Sequence, residues 1–208
     1  VLLNTPVCDF GWKAPDFALK DPHGNSFTMS ECIGEKGLLL AFVCNHCPYV
    51  QAIGDRLAAD TSLLISEGFG VLAVMSNDYH SVPADAPRKM KDFSQLYDFE
   101  FPYLVDENQT VGKRYGAVCT PDFFGLNSKS ELQYRGRLDD AGFNDPTGRK
   151  TELLDAMQLI AETGRGPENR SQAWDVRSSG QISSIRLVLR NWVFGCMEHL
   201  RFKMCGYY

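Results

Sequence analysis

The chain is 208 residues long, and at about 150 residues per domain one elaborated domain is the expectation. Apolar residues at 44% and charged residues at 23% are proportions of a folded globular protein and exclude disorder over most of the length. A formal charge of −5 at pH 7 excludes a surface built to neutralise phosphates, so nucleic acid is not an expected partner, and the longest apolar run, Leu38 to Cys44, falls far short of the ~20 residues that cross a bilayer.

Val1 to Phe10 carry neither the basic start nor the apolar stretch of a secretory signal, which makes the cytoplasm the expected compartment. Next come two short runs, Asp16 to Leu19 and Ser26 to Met29, flanking Asp21-Pro22-His23-Gly24-Asn25; this turn cluster predicts an N-terminal β-hairpin. Gly37 to Cys44 is continuously apolar, the pattern of a strand buried on both faces. Val50, Ile53, Leu57 and Leu64 then recur near the helical period, which predicts a helix from about Cys47 to Gly68. A second strand and helix follow at Gly70 to Met75 and Pro87 to Tyr97, the latter opening on proline. Phe101 to Val105 reads as a strand, Thr110 to Tyr115 as a short helix, Asp122 to Leu126 and Leu132 to Arg137 as paired strands, and Thr151 to Thr163 as a helix ending at Gly164. Alternating strands and helices closed by a hairpin and a helix predict an α/β domain with a central mixed sheet flanked by helices.

The chemistry is concentrated in Cys44-Asn45-His46-Cys47, a C-x-x-C placed where the buried strand gives way to a helix. Two cysteines at this spacing can close a small disulfide ring, and the free amides and positive potential of a helix N-terminus stabilise a thiolate. On this reading Cys44 is the nucleophile, Cys47 the resolving thiol, and a protonated His46 between them favours the thiolate and makes the disulfide more oxidising. Three alternatives stay open: half of a zinc site completed by Cys119, Cys32 or His80; a copper carrier through the thiolates and His46; and two inert buried cysteines. Cys119-Thr120-Pro121 precedes a strand, and a cis Pro121 there exposes the Thr120 backbone to pair with an extended substrate beside Cys44; the alternative is an ordinary proline opening an edge strand. Asp139-Asp140 after Gly136-Arg137 reads as partners of Arg137 in a loop-shaping ion pair rather than as a paired-carboxylate site. No phosphate cradle or dinucleotide fingerprint is present, so no cofactor is expected and reducing equivalents come from a protein or small-molecule thiol.

At these residues the chain resembles the thioredoxin-fold redoxins grouped with the alkyl hydroperoxide reductase and thiol-specific antioxidant proteins. The resemblance rests on Ala14-Pro15-Asp16-Phe17, the block Cys44 to Val50, Ser76-Asn77-Asp78, Phe101-Pro102-Tyr103-Leu104, Cys119-Thr120-Pro121 and Gly136 to Asp140, and spans residues 14 to about 167. It implies a thioredoxin-like fold with an N-terminal hairpin, a dithiol/disulfide pair at Cys44 and Cys47, a cis Pro121, and a thiol–disulfide oxidoreductase acting in redox homeostasis on protein or small-molecule thiols. A thiol-dependent peroxidase is the alternative. Against it, Leu40 and Cys44 stand where peroxiredoxins place proline and Thr or Ser relative to the peroxide-attacking cysteine, here Cys47. Neither a metal, a membrane nor a particular oligomeric state is expected from the resemblance.

The domain is expected to end at Pro167. Residues 1–167 hold 15 Lys/Arg against 23 Asp/Glu, whereas residues 168–208 hold 6 against 3. Similar chains end, soon after a stretch like Gly164-Arg165-Gly166-Pro167, in a segment resembling Pro-Ser-Met-Gly-Cys-Ser-Ile-Lys-Trp. Synonymous codons exist for Ser171 to Gly180 that encode that segment when read two bases later, so residues 168–208 read as an atypical tail translated out of frame. The competing reading is an amphipathic helix presenting Ile182, Ile185, Leu189, Trp192, Cys196 and Leu200 on one face.

Overall fold

The computed structural model describes residues 9–168, and both readings of the tail fall, from residue 169 on, outside the described residues. The seven-residue apolar run becomes the centre of the molecule. β3 (Gly37–Phe42) is buried along its whole length because it has a neighbour on each side and a helical layer on each face. Its side chains alternate between two cores. Leu39 and Ala41 face α2 (Pro48–Ser66), α3 (Pro87–Leu96) and α5 (Glu152–Thr163), while Leu38, Leu40 and Phe42 face α1 (Met29–Cys32), α4 (Thr110–Tyr115) and the N-terminal hairpin.

The hairpin is β1 (Ala18–Lys20) with β2 (Ser26–Thr28), closed through Asp21, whose carboxylate accepts the amides of His23 and Asn25. With β4 (Gly70–Met75), β5 (Tyr103–Val105), β6 (Asp122–Asn127) and β7 (Leu132–Gly136) it forms one seven-stranded sheet in the order β2-β1-β5-β4-β3-β6-β7. β3, β4 and β5 run parallel, and β6, β7 and the hairpin run antiparallel to their neighbours, giving the mixed sheet expected.

Register decides what lies beyond the sheet's edge. Phe42 pairs with Val74 on the parallel side and with Asp122 on the antiparallel side. Continuing two residues up β3 and two residues back from β6 therefore brings Cys44 beside Thr120, although 76 positions separate them in the chain. The same edge receives the segment after β4, Ser76 to Ala86, which includes a 3₁₀ turn at Pro83–Asp85. Loops at the carboxyl ends of parallel strands are where open α/β sheets place their chemistry.

Three details differ from the sequence reading. The short α1 and the 3₁₀ turn were not expected, being too brief to show a period. Arg137 does not pair with Asp139 or Asp140: both its guanidinium donors reach Glu152 at 2.7 Å. Asp139 instead accepts from Arg56 of α2 at 2.7 Å and lies 3.3 Å from Arg149, which also grips Asp60. The helix was closer in space than the neighbouring residues in sequence, so the ion pairs tie the 137–150 loop to α2.

Candidate active site

The last sheet bond of this stretch is Val43 N–H to Val74 O at 3.1 Å, after which the chain turns through Cys44, Asn45, His46 and Cys47. Proline at the first helical position starts α2 at Pro48, with Cys47 as its N-cap. The turn is held from outside. Tyr103 donates its phenol proton toward Val43 O and Asn45 Oδ1, Asn45 Nδ2 donates to Ala84 O, and Gln51 Nε2 donates to Asn45 O.

The sequence reading puts the thiolate on Cys44, whereas the helix start makes Cys47 the N-cap residue of α2, and the backbone amides of Tyr49 and Val50 in the first turn favour its ionised form although its side chain makes no capping hydrogen bond. Cys47 accepts a hydrogen bond from the Cys44 thiol, the largest single influence on it; burial opposes ionisation, and the Thr120 hydroxyl and the two amides favour it. Together they bring its pKa from 9.0 down to about 6. Cys44 moves the other way: burial, the hydrogen bond it gives to Cys47, the negative charge on that sulfur and the Asp85 carboxylate push it well above the ordinary thiol range, with Thr120 Oγ1 at 3.2 Å only partly offsetting them. Cys44 is 0% and Cys47 2% exposed. The pair is thus two buried sulfurs, of which the one at the helix N-cap ionises the more readily.

Thr120 touches both sulfurs: its hydroxyl meets Cys44, and its carbonyl oxygen lies 3.2 Å from Cys47 Sγ, where the protonated form of that thiol donates. The Thr120–Pro121 peptide is cis. The loop bearing it is anchored by buried Asp122, which accepts from Val118 N–H and from Arg135, and Arg135 donates in turn to Gly116 O. Cys119 is buried in this loop with Sγ 3.7 Å from the Pro121 carbonyl oxygen.

His46 meets a residue to which the sequence reading gave no role. Asp85 is 0% exposed; its Oδ2 lies 2.6 Å from His46 Nδ1, and its Oδ1 accepts the His46 backbone amide at 3.2 Å. Asn77 Nδ2 donates to the same Oδ2 at 2.9 Å. Burial works against a charged imidazole here, but the Asp85 hydrogen bond and charge outweigh it and raise the His46 pKa. Asn77 and Tyr103 stood inside matched blocks of the sequence without a role attached. Asp85 lies in a proline-bounded connection with no motif around it, and only the fold brings it here.

Cys44 Sγ, a ring nitrogen of His46 and a carboxylate oxygen of Asp85 lie within 4.8 Å of one another, the one such cluster among the described residues. The 2.6 Å separation of Nδ1 and Oδ2 is that of a hydrogen bond, whereas two ligands of a tetrahedral ion at ~2.0 Å bonds stand about 3.3 Å apart. An ion would have to part this pair. His80 is exposed and bonds Glu107, and Cys32 sits beside β4's far end on α1, so the zinc set imagined from sequence is not assembled.

The fold recurs in known proteins. A structure of a hypothetical protein from Sinorhizobium meliloti 1021 superposes with a TM-score of 0.75 at 32% identity, over 81% of this chain and 93% of that one. Among curated proteins, the thioredoxin-like protein YneN of Bacillus subtilis is 26% identical over 125 residues, 59% of this chain and 68% of the relative. The putative peroxiredoxin bcp of Coxiella burnetii is 24% identical over 134 residues, 64% of this chain and 83% of that protein. The fold is thioredoxin-like, with the N-terminal hairpin added to its sheet. The model of the AhpC/TSA family matches residues 10–138, a span that takes in the dithiol turn, the Asp85 segment and the Thr120–Pro121 loop, and the chain belongs to that family.

Proposed function

We propose that the protein is a thiol–disulfide oxidoreductase in which Cys47 attacks and Cys44 resolves. The observation that supports this reading is the pair of sulfurs each 3.2 Å from Thr120, with Cys47 at the helix N-cap and the more readily ionised of the two. The Cys47 thiolate attacks one sulfur of a substrate disulfide, forming a mixed disulfide and releasing the other sulfur as a thiolate that takes up a proton. Cys44 then gives up its proton and attacks Cys47 Sγ. The mixed disulfide breaks, the second substrate thiol leaves, and the Cys44–Cys47 disulfide holds the two-electron oxidation. Run backwards, the same steps oxidise a dithiol. Thr120 and Pro121 border the sulfurs and serve as the ledge for the substrate chain, with Cys119 behind them. In the reducing cytoplasm expected from sequence, the electrons come from a protein dithiol or a small thiol.

Trapping distinguishes the roles. With a small disulfide such as oxidised glutathione as probe, Cys44→Ser should accumulate a stable mixed-disulfide adduct on Cys47, and Cys47→Ser should react at least about a hundredfold more slowly at pH 7, because burial and the Asp85 carboxylate keep Cys44 protonated there. An adduct that accumulates in Cys47→Ser instead restores Cys44 as the attacking sulfur. Failure of the wild type to exchange with any disulfide ends the reading.

A second reading, a thiol-dependent peroxidase, is favoured by the low pKa of Cys47 and the likeness to the Coxiella protein. In it Cys47 is oxidised to a sulfenic acid, and Cys44 condenses with it to give the disulfide and water. Loss of both thiols within seconds of adding stoichiometric hydrogen peroxide, with slow insulin reduction, selects it.

A further inference from the structure

We propose that Asp85 is a positioning residue for the dithiol: by gripping His46 through both its ring and its backbone amide, it fixes a cationic imidazole against the Cys44–Cys47 turn and so sets the reactivity of the thiolate. The inference rests on the dithiol chemistry proposed above and adds a residue that lies outside the C-x-x-C block.

The geometry is specific. One carboxylate, wholly buried, spends Oδ2 on the His46 ring at 2.6 Å and Oδ1 on the His46 backbone N–H at 3.2 Å, so the residue between the cysteines is pinned at two points. Asn77 holds the carboxylate at 2.9 Å and supplies no charge. A carboxylate buried without a cation is strongly disfavoured, and the imidazole 2.6 Å away can supply one; the Asp85 hydrogen bond and charge correspondingly raise the His46 pKa. The titratable groups beside His46 include Asp85 from the 3₁₀ turn and Cys44 and Cys47 from its own turn; Tyr103 of β5, which burial keeps protonated, lies beside the two cysteines and Asp85. The Cys47 charge favours the proton on His46, and by reciprocity of linkage the proton on His46 favours the charge on Cys47. Removing the Asp85 charge lets His46 go neutral, and Cys47 then loses the favourable interaction with a charged imidazole.

The experiment is the pH dependence of iodoacetamide alkylation of Cys47 in the full reduced chain, for wild type, Asp85→Asn, His46→Ala and the double variant. Asp85→Asn keeps the side chain's size and removes its charge. The midpoint should rise in both single variants; a rise of one unit from about 6 slows alkylation about fivefold at pH 6 and leaves it unchanged at pH 9. The glutathione equilibrium should shift toward the protein disulfide by a similar factor. In the His46→Ala background, Asp85→Asn should no longer raise the midpoint, because that rise runs through the ring, whereas the direct repulsion of the carboxylate on the sulfur pair acts in the opposite sense. A folded Asp85→Asn protein with the wild-type profile overturns the proposal, and so does an undiminished Asp85→Asn effect in the double variant. Should Asp85→Asn not fold, the His46 ring resonances of the wild type decide: the proposal requires a protonated ring at pH 6, and a neutral one overturns it. None of these readouts needs a turnover, so they stand apart from the trapping test of the oxidoreductase reading.

Discussion

At Cys47 four donors favour the ionised sulfur: the Cys44 thiol, the Thr120 hydroxyl and the amides of Tyr49 and Val50. Each donor stabilises only the ionised form, so each should be separately measurable. In wild-type reduced protein the rate of Cys47 alkylation should rise with pH, reach half its limit near the pKa of about 6, and be flat by pH 8. A midpoint near the ordinary thiol value would contradict the donor geometry. Thr120→Val removes the hydroxyl and keeps the shape; because that hydroxyl lowers both thiol pKa values, the substitution should move the Cys47 midpoint upward and slow alkylation at pH 6 about two- to fivefold. The C-x-x-C itself was plain in the sequence, since its spacing and the apolar run before it need no tertiary information. Which sulfur ionises the more readily is less plain there, because it depends on where the first helical residue falls: the pattern predicts about Cys47, and Pro48 begins the helix one residue later, which makes Cys47 the N-cap.

Among the elements, α1 and β4 approach too closely for a side chain to intervene. A Cβ on Gly70 would stand 1.7 Å from the Cys32 carbonyl oxygen, a backbone atom that cannot swing aside. Gly70→Ala should therefore destabilise by about 2 kcal/mol in urea unfolding while leaving the alkylation profile of Cys47 unchanged. The loop after β7 is tied differently, by Asp139 between Arg56 and Arg149; with one charge removed, Asp139→Ala leaves two guanidinium groups facing each other and should cost about 3 kcal/mol by the same measurement. The long apolar strands and the amphipathic helices were legible because a period of two or of 3.6 is carried by the residues themselves. Asp85 was not, because it lies in a turn of three residues and acquires meaning only when the segment after β4 folds over the end of β3. The Arg137 pairing failed for a related reason: charge partners are chosen by space, and Glu152 on α5 is closer than the aspartates next in line.

For the molecule as a whole, redox state and stability are linked through the same sulfur. The folded pKa of Cys47, about 6, lies below the ordinary value of 9.0, so its contribution to the reduced protein is present in full above 9, diminishes below it, and is lost as pH falls through 6. His46 has the opposite sign, its stabilisation being present below the ordinary value and lost as pH rises through the raised one; its main partner, Asp85, stays in place in both redox states, so this contribution largely cancels between them. A disulfide closing so small a ring offers about 2 kcal/mol through the unfolded chain, independent of pH. The difference in melting temperature between reduced and oxidised protein should therefore move in favour of the reduced form from pH 5 to pH 8; a difference that stays constant would show that no thiolate is stabilised. Because Cys47 is also the N-cap residue of α2, forming the disulfide removes the negative charge that favours the amides of Tyr49 and Val50 at the mouth of a 19-residue helix. Oxidation should then loosen that turn, so that backbone hydrogens at these two positions exchange with solvent faster in the oxidised protein, and a partner touching the helix's mouth could tell a charged molecule from a spent one without reaching either sulfur.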